Sequence, residues 1–335
     1  MLPPTAAASQ ALRRRPEWLY SGSLLALAFL SFWWGLDGYP LLDMDEPRYA
    51  QAAREMLERP NWITPYVDGV VRFDKPVFYY WAQMLSQTAF GHTAFAARAV
   101  SAASATALVG MLYVWGRRLR CRFEAFLGAA ILGTSTIAFA LARFSIPDMT
   151  LTLWMGGILM AFALLVREGP RWWLAAAAFS ALGMVTKGPV ALILPGAILL
   201  AYAAFARQFK AVFLNRWFPL ALLLWTVLSL PWYVAAYLQN GPVFLDALFL
   251  HNVTRYSDVV SGHQQAWWYY PVTLLVGFMP WTLSLPVLLP WLWNNAKSWF
   301  ACDARPSVRH YGLALLWAVG VFFFFAQAHT KLATY

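Results

Sequence analysis

Apolar residues run along this chain in long blocks, broken by short clusters of basic or mixed charge, with no strict alternation of apolar and polar positions. A helix needs roughly 20 mostly apolar residues to cross a bilayer core of about 30 Å. On that measure the pattern predicts nine spans, at 19–36, 94–115, 124–142, 149–166, 172–186, 189–206, 217–238, 270–293 and 311–328. The fifth and sixth are short and share a break at Lys187-Gly188-Pro189. A transmembrane barrel is excluded, because its strands would show a period of two. The expected fold class is therefore an all-α polytopic membrane protein, organised as one transmembrane domain over residues 1–335.

The segment 37–92, between the first two spans, departs from the pattern. In MDEPRYAQAAREMLE, Met44 to Glu58, Pro47 suits the first turn of a helix, and Asp45 or Glu46 is placed to cap its free N–H groups. Ala50, Ala53 and Leu57 recur on one face, with charged residues elsewhere, until Pro60 ends the pattern. This predicts an amphipathic helix in the membrane interface. A second is predicted from Pro76, in DKPVFYYWAQML, where Tyr79, Tyr80 and Trp81 suit the headgroup level.

Composition agrees: 61% hydrophobic residues, 17% aromatic ones and a mean hydropathy of +0.52 exceed what a water-soluble core requires. The basic cluster Arg13 to Arg15 before the first apolar run has the look of a secretory signal. No small-x-small cleavage site precedes Asp37, however, and bulky Phe32, Trp33 and Trp34 occupy its place, so a retained first helix is expected.

Charge then fixes an orientation. With Arg13 to Arg15 in the cytoplasm, alternation places 15 basic and 4 acidic residues on that side, against 10 basic and 11 acidic residues outside. The net charge of +10 thus reflects orientation by the positive-inside rule rather than nucleic-acid binding, for which no groove-reading motif is present. Cys121 and Cys302 both fall on the cytoplasmic side, where thiols stay reduced, so no disulfide is expected.

The outer loops carry the candidate chemistry. Helix capping explains one carboxylate, but not Asp43, Asp45 and Glu46 together with Arg48 and Lys75 close by. Carboxylates beside guanidinium and ammonium groups at the headgroup level fit recognition of phosphate and positioning of a polar acceptor. RFSIPDMTL places Arg143 and Asp148 in another outer loop, with Asp148 at the start of a helix. Lys187, at the break, is costly at that depth unless paired or solvated, and the following Gly-Pro can open a helix whose amides face an anion. Two further segments add His251, Asn252, Arg255, Tyr256, Asp258 and His263, then His329, Lys331 and Tyr335. No GxSxG, P-loop, GxGxxG or HExxH pattern occurs. His251 and His263, with Asp74 or Asp258, could bind a divalent metal, although isolated polar contacts are the plainer reading, so no cofactor is assigned.

Taken in order, DEPRYAQAAREML, FDKPVFYYW, SIPDMTL, TKGP, HNVTRY with GHQQAWWYYP, and HTKLATY resemble segments of the ArnT-type 4-amino-4-deoxy-L-arabinose (lipid A) transferases. These are GT-C glycosyltransferases related to the protein O-mannosyltransferases. The resemblance covers essentially the whole chain. It implies a GT-C-like helical bundle in the bacterial inner membrane that moves the aminosugar from undecaprenyl phosphate to a lipid A phosphate on the periplasmic side, with inversion. By motif match, Asp45 is the family's essential acid of the first loop and Asp148 a second loop acid. Arg48 lies beside the first, Lys75 corresponds to a lysine contacting the carrier phosphate, and Tyr335 falls in the KL-x-TY segment. Asp43, Glu46, Tyr79, Lys187, Arg255 and Lys331 complete the expected substrate-binding set.

Two positions depart from the family pattern: Ala333 where Pro is common, and Asp74 where Glu often precedes the KP pair. Family members continue past this point with more spans and a periplasmic domain, which this chain is expected to lack. The expected partners are the undecaprenyl-phosphate-linked sugar, lipid A or another lipid or peptide acceptor, and membrane lipids, with a monomeric chain and no nucleic acid. The alternatives are a related transferase with a Ser/Thr acceptor and a lipid transporter or flippase. A transporter predicts polar residues across the membrane midplane, whereas the spans here are nearly free of charge.

Overall fold

The first apolar run folds as α1 (Glu17–Ala28) and continues through one π turn, Phe29–Trp33. The structure, a computed structural model, describes residues 16–42, 45–251, 266, 268–300 and 306–327. After α1 come α2 (Asp45–Glu58), a two-stranded hairpin of β1 (Tyr66–Val67) and β2 (Val70–Val71), and α3 (Phe78–Phe90). The bundle begins with α4 (Ala94–Leu119), α5 (Arg122–Gly133), α6 (Thr136–Ala142), α7 (Asp148–Glu168), α8 (Trp173–Lys187), α9 (Val190–Phe205) and the short α10 (Phe209–Phe213). It closes with α11 (Trp217–Asn240), α12 (Pro242–Phe249), α13 (Tyr269–Gly277), α14 (Leu285–Trp299) and α15 (Pro306–Ala326).

Over the described residues each expected span falls largely on helix, but two of them are not straight. Residues 124–142 bend by 63° between α5 and α6, and 270–293 bend by 99° between α13 and the helix Trp281–Trp299. At the first bend the Thr134 and Ser135 hydroxyls return to the carbonyls of Ala130 (2.7 Å) and Leu132 (2.9 Å), which offers the backbone an alternative to the helical ladder. At the second, Pro280 cannot donate to that ladder. Four helices (α4, α7, α11 and Val308–Ala326 of α15) are each long and apolar enough to cross a bilayer, and each bent pair would serve as one more. The chain is a polytopic helical membrane protein.

Close helix packing depends on small residues, as is usual where lipid removes the hydrophobic drive between helices. A Cβ added at Gly157 of α7 would sit 2.6 Å from the Phe179 ring of α8, and one at Gly183 of α8 would sit 2.5 Å from the Ala191 Cβ of α9. One core cluster joins α7, α8, α9 and α15, and a second joins α1, α4, α5, α6 and α7, so α7 is common to both. A third ties α2 and α3 to α4, α11 and α12 through Tyr49, Met56, Tyr80, Val100, Trp232 and Phe244.

The buried face of α2 centres on Tyr49, Ala52, Ala53 and Met56, rather than on the predicted Ala50, Ala53 and Leu57. The difference is physical: α2 packs against α3 and the bundle, so the side chains that reach those neighbours are the ones covered. The hairpin beside it was not predicted. Asp68 and Gly69 take φ of +52° and +76°, the left-handed pair of a type I′ turn. Glu55 of α2 secures that turn, accepting from the Asp68 and Gly69 amides at 2.6 and 3.0 Å and from Gln51 at 3.0 Å.

Burial alone would raise the Glu55 carboxyl, but the hydrogen bonds from Gln51, Gly69 and Asp68 and the charge of Arg59 hold it below its ordinary 4.5. A carboxylate depressed in this way stabilises the folded state above its unfolded value, and the contribution disappears as pH falls through the folded one. Glu55→Gln is therefore expected to cost about 1.5–3 kcal/mol at neutral pH. The gap in melting temperature between wild type and variant should close as the pH is taken below 4.5, the ordinary value; thermal scans of the purified protein at several pH values check this.

Candidate functional site

Two adjacent carboxylates open α2 and have opposite surroundings. Glu46 is fully buried. Its oxygens accept from Arg98 Nε (3.0 Å) and Nη2 (2.9 Å), from the Ser145 amide (2.7 Å) and from the Leu42 amide (2.7 Å). Arg98, on α4 and equally buried, also donates to the carbonyls of Leu36 (2.8 Å), Tyr39 (2.9 Å) and Pro40 (2.8 Å) and lies 3.8 Å from the centroid of the Tyr39 ring. Every hydrogen-bonding position of this pair is taken. Glu46, expected in the substrate-binding set, is instead the buried partner of an arginine that fastens the end of the first helix to the start of α2.

Asp45, one residue earlier, is exposed over 57% of its side chain. It lies 4.0 Å from Arg72, and Arg72 is 2.5 Å from Asp74. Asp74 in turn faces His251 Nε2 at 3.3 Å. These groups make a line of alternating acids and bases, from the start of α2 through the loop before α3 to just beyond α12. Lys75, next to Asp74, is half-buried.

A second cluster lies close by. Asp148, at the first position of α7, accepts from Lys187 Nζ at 2.8 Å, and both side chains are about one-tenth exposed. The lysine ends α8, where Gly188 with φ of +98° breaks the chain before α9. Pairing with Asp148 thus offsets the cost of a buried ammonium at this depth. Tyr49 links the clusters. Burial holds its phenol well above the ordinary value; Tyr80 and the carboxylates of Asp45 and Asp148 push it the same way, and Arg72 opposes them. Beyond Asp148 and Lys187 a groove of about 350 Å³ runs into the bundle, lined by apolar side chains of α4, α7 and α15 such as Leu112, Met155 and Trp317.

Of the expected site residues, Asp45, Asp148, Lys75 and Lys187 are therefore grouped at one end of the bundle. Arg48 is exposed on the outer face of α2, lining a separate shallow depression with Arg54 and His92. Tyr79, expected to bind substrate, is fully buried; its hydroxyl contacts Ser101 at 3.3 Å and accepts from Gln83 at 3.1 Å, because it sits on the side of α3 that packs against α4. Asp43, Arg255, Lys331 and Tyr335 lie outside the described residues, as do Asn252, Tyr256, Asp258, His263 and His329. Arg143 holds the end of α1, donating to the carbonyls of Trp34 (2.7 Å) and Gly35 (3.0 Å). Among the described residues no group of three or more His, Cys, Asp or Glu converges to hold a metal.

Arg72 and Arg98 were not singled out from the sequence. Arg98 had a visible signal, an arginine inside the otherwise small and apolar run AFAARAVSAA. Arg72 had only its place two residues before Asp74.

Comparison with known proteins gives consistent results. Residues 74–234 match the family model described as dolichyl-phosphate-mannose-protein mannosyltransferase. The chain is 33% identical over 319 residues to the undecaprenyl phosphate-α-4-amino-4-deoxy-L-arabinose arabinosyl transferase of Aeromonas salmonicida, covering 93% of this chain and 56% of the relative. To the protein of the same name from Pectobacterium carotovorum it is 34% identical over 324 residues, covering 95% and 56%. The crystal structure of ArnT from Cupriavidus metallidurans bound to undecaprenyl phosphate superposes with a TM-score of 0.79 at 25% identity, covering 95% of this chain and 57% of that one. The chain thus spans a little over half the length of the relatives it matches.

Proposed function

Since this chain is a homologue of the aminoarabinose transferases with the GT-C polytopic membrane fold, we propose that it supplies the membrane part of a glycosyltransferase. It would take 4-amino-4-deoxy-L-arabinose from undecaprenyl phosphate and place it on a lipid A phosphate, on the periplasmic side of the bacterial inner membrane. The observation that carries this reading is the placement of two acid–base pairs, Asp45 with Arg72 and Asp148 with Lys187, at one end of the bundle, the second at the mouth of an apolar groove. A polyprenyl phosphate has that division: an anionic head and a hydrocarbon tail.

The chemistry needs little from the protein beyond placement. A sugar on a polyprenyl phosphate already carries a good leaving group, so direct displacement with inversion suffices. The cations have the larger task. Lys75, Arg72 and Lys187 stabilise the charge that grows on the departing phosphate, which favours the transition state over the bound substrate. The acceptor decides the role of Asp45. A hydroxyl would need a base to remove its proton, whereas a lipid A phosphate is already anionic, and Asp45 then orients it or binds the sugar's amine.

The test is to incubate the purified full chain with lipid A and a panel of polyprenyl-phosphate sugars, and to weigh the lipid product. A mass gain of one aminoarabinose is expected. Transfer of a hexose to a peptide in place of that product would move the assignment to the mannosyltransferase branch that the family model describes.

A further inference from the structure

At the end of α7 opposite Asp148, across a helix of 21 residues and therefore about 30 Å away, the surface opens into a recess of about 910 Å³. The last turn of α7, the connection from α9 to α10 and the first turns of α15 enclose it. Four cations line it: Arg167, Arg207, Lys210 and Arg309. The one acid among the lining residues, Glu168, is already engaged by Arg118 (3.2 Å), Arg171 (3.2 Å) and the Trp172 indole (3.0 Å).

The cations differ in how far they are committed. Arg167 donates to the Leu119 carbonyl. Arg309 is held by Gln208, whose amide oxygen, turned toward it, accepts at 2.7 Å. Arg207 and Lys210 are exposed, and their side chains make no hydrogen bond or ion pair to any described residue. The φ of +51° at Arg207 is the left-handed position that ends α9, where the Gln208 amide donates to the Ala203 carbonyl (2.8 Å) and the Arg207 amide to the Ala204 carbonyl (3.1 Å). Beside these cations stand Phe205, 65% exposed, and Phe209, 51% exposed.

Membrane orientation calls for basic residues near this end of the bundle. It does not call for four of them around one recess, with two making no hydrogen bond or ion pair to a described residue. Cations together with exposed aromatic rings match an amphiphile whose head is a phosphodiester. We propose that this recess binds the phosphate headgroup of an anionic phospholipid from the leaflet opposite the Asp45 site, with the acyl chains lying over Phe205 and Phe209. The guanidinium of Arg207 supplies paired donors to phosphate oxygens and Lys210 a point charge, the usual division of labour between these residues.

The test uses the full chain purified in detergent and weighed intact by native mass spectrometry after addition of cardiolipin, phosphatidylcholine, the deacylated cardiolipin headgroup or inorganic phosphate. Cardiolipin is expected to stay bound while phosphatidylcholine and the two soluble anions do not. Arg207→Gln with Lys210→Gln should lower cardiolipin affinity about 30-fold, from roughly 1 kcal/mol for each cation near an anionic lipid. Arg117→Gln with Arg122→Gln, basic residues that pair with Glu17, should leave it unchanged. Equal loss in both double variants, equal retention of phosphatidylcholine, or displacement of cardiolipin by inorganic phosphate at matched concentration would overturn the proposal. A photoactivatable anionic lipid on the unmodified protein gives a second readout that does not depend on the variants folding: it should label residues 203–212, and labelling confined to other segments would equally defeat the assignment.

Discussion

Asp45→Asn is expected to lower sugar transfer by about 10²–10⁴-fold, the range for removing a proton-handling or charge-placing group from a reaction centre. The melting temperature should stay where it was. Both halves follow from geometry: the side chain is more than half exposed, and its nearest cation is 4.0 Å away, so its contribution to stability is that of a surface ion pair, about 1 kcal/mol or less. Transfer assays and thermal scans on the same preparation check the two halves together. Near-normal turnover by the variant would take Asp45 out of the site, and a large loss of stability would make its role structural.

The neighbouring pair should give the opposite result. Arg98→Ala leaves the Glu46 carboxylate buried without its countercharge and three carbonyls without a donor, and is expected to cost about 3–5 kcal/mol, enough to prevent accumulation of folded protein in many hosts. Glu46→Ala should be similarly damaging. The double variant Arg98→Met with Glu46→Leu should be less damaging than the sum of the two, since no lone charge is then buried, although the Ser145 and Leu42 amides and the three carbonyls still lose partners. Detergent-stability curves for the three variants test this. Strict additivity would mean that the charges do not act on one another as placed.

Legibility in the sequence tracked the range of the interaction involved. The helices of the bundle were readable because a span is a local, repetitive demand for apolar residues, and that demand is met or missed within about 20 positions. Their bends were partly readable: Pro280 in FMPW is a plain signal, whereas the turn at Thr134 and Ser135 depends on hydroxyls reaching back to nearby carbonyls. The hairpin was readable and missed, since Asp-Gly between Tyr-Val and Val-Val is the strongest short-range cue for such a turn.

At the site, motif spacing brought Asp45, Lys75, Asp148 and Lys187 to one end of the bundle, and the two paired acids are grouped there. What spacing could not supply was which side of a helix faces inward. Glu46 looks no different in the sequence from Asp45, and nothing in FYYW marks Tyr79 as buried; the burial of both is decided by α4, whose Arg98 and Ser101 meet them from far along the chain. Arg72 was missed for the same reason, because only the folded loop brings it between Asp45 and Asp74.

The contact between Glu46 and Arg98 joins positions 52 residues apart. During synthesis α2 therefore leaves the ribosome well before Arg98, and until α4 has entered the bilayer Glu46 has only the Leu42 amide as a partner. Arg98 meanwhile lies in the second turn of α4, near one end of the span, and gains its countercharge only when Glu46 packs against it. Placement of Asp45 in the proposed site is thereby coupled to the arrival of the second membrane helix, because a nascent chain cut short of α4 lacks the arginine that fixes the first turn of α2.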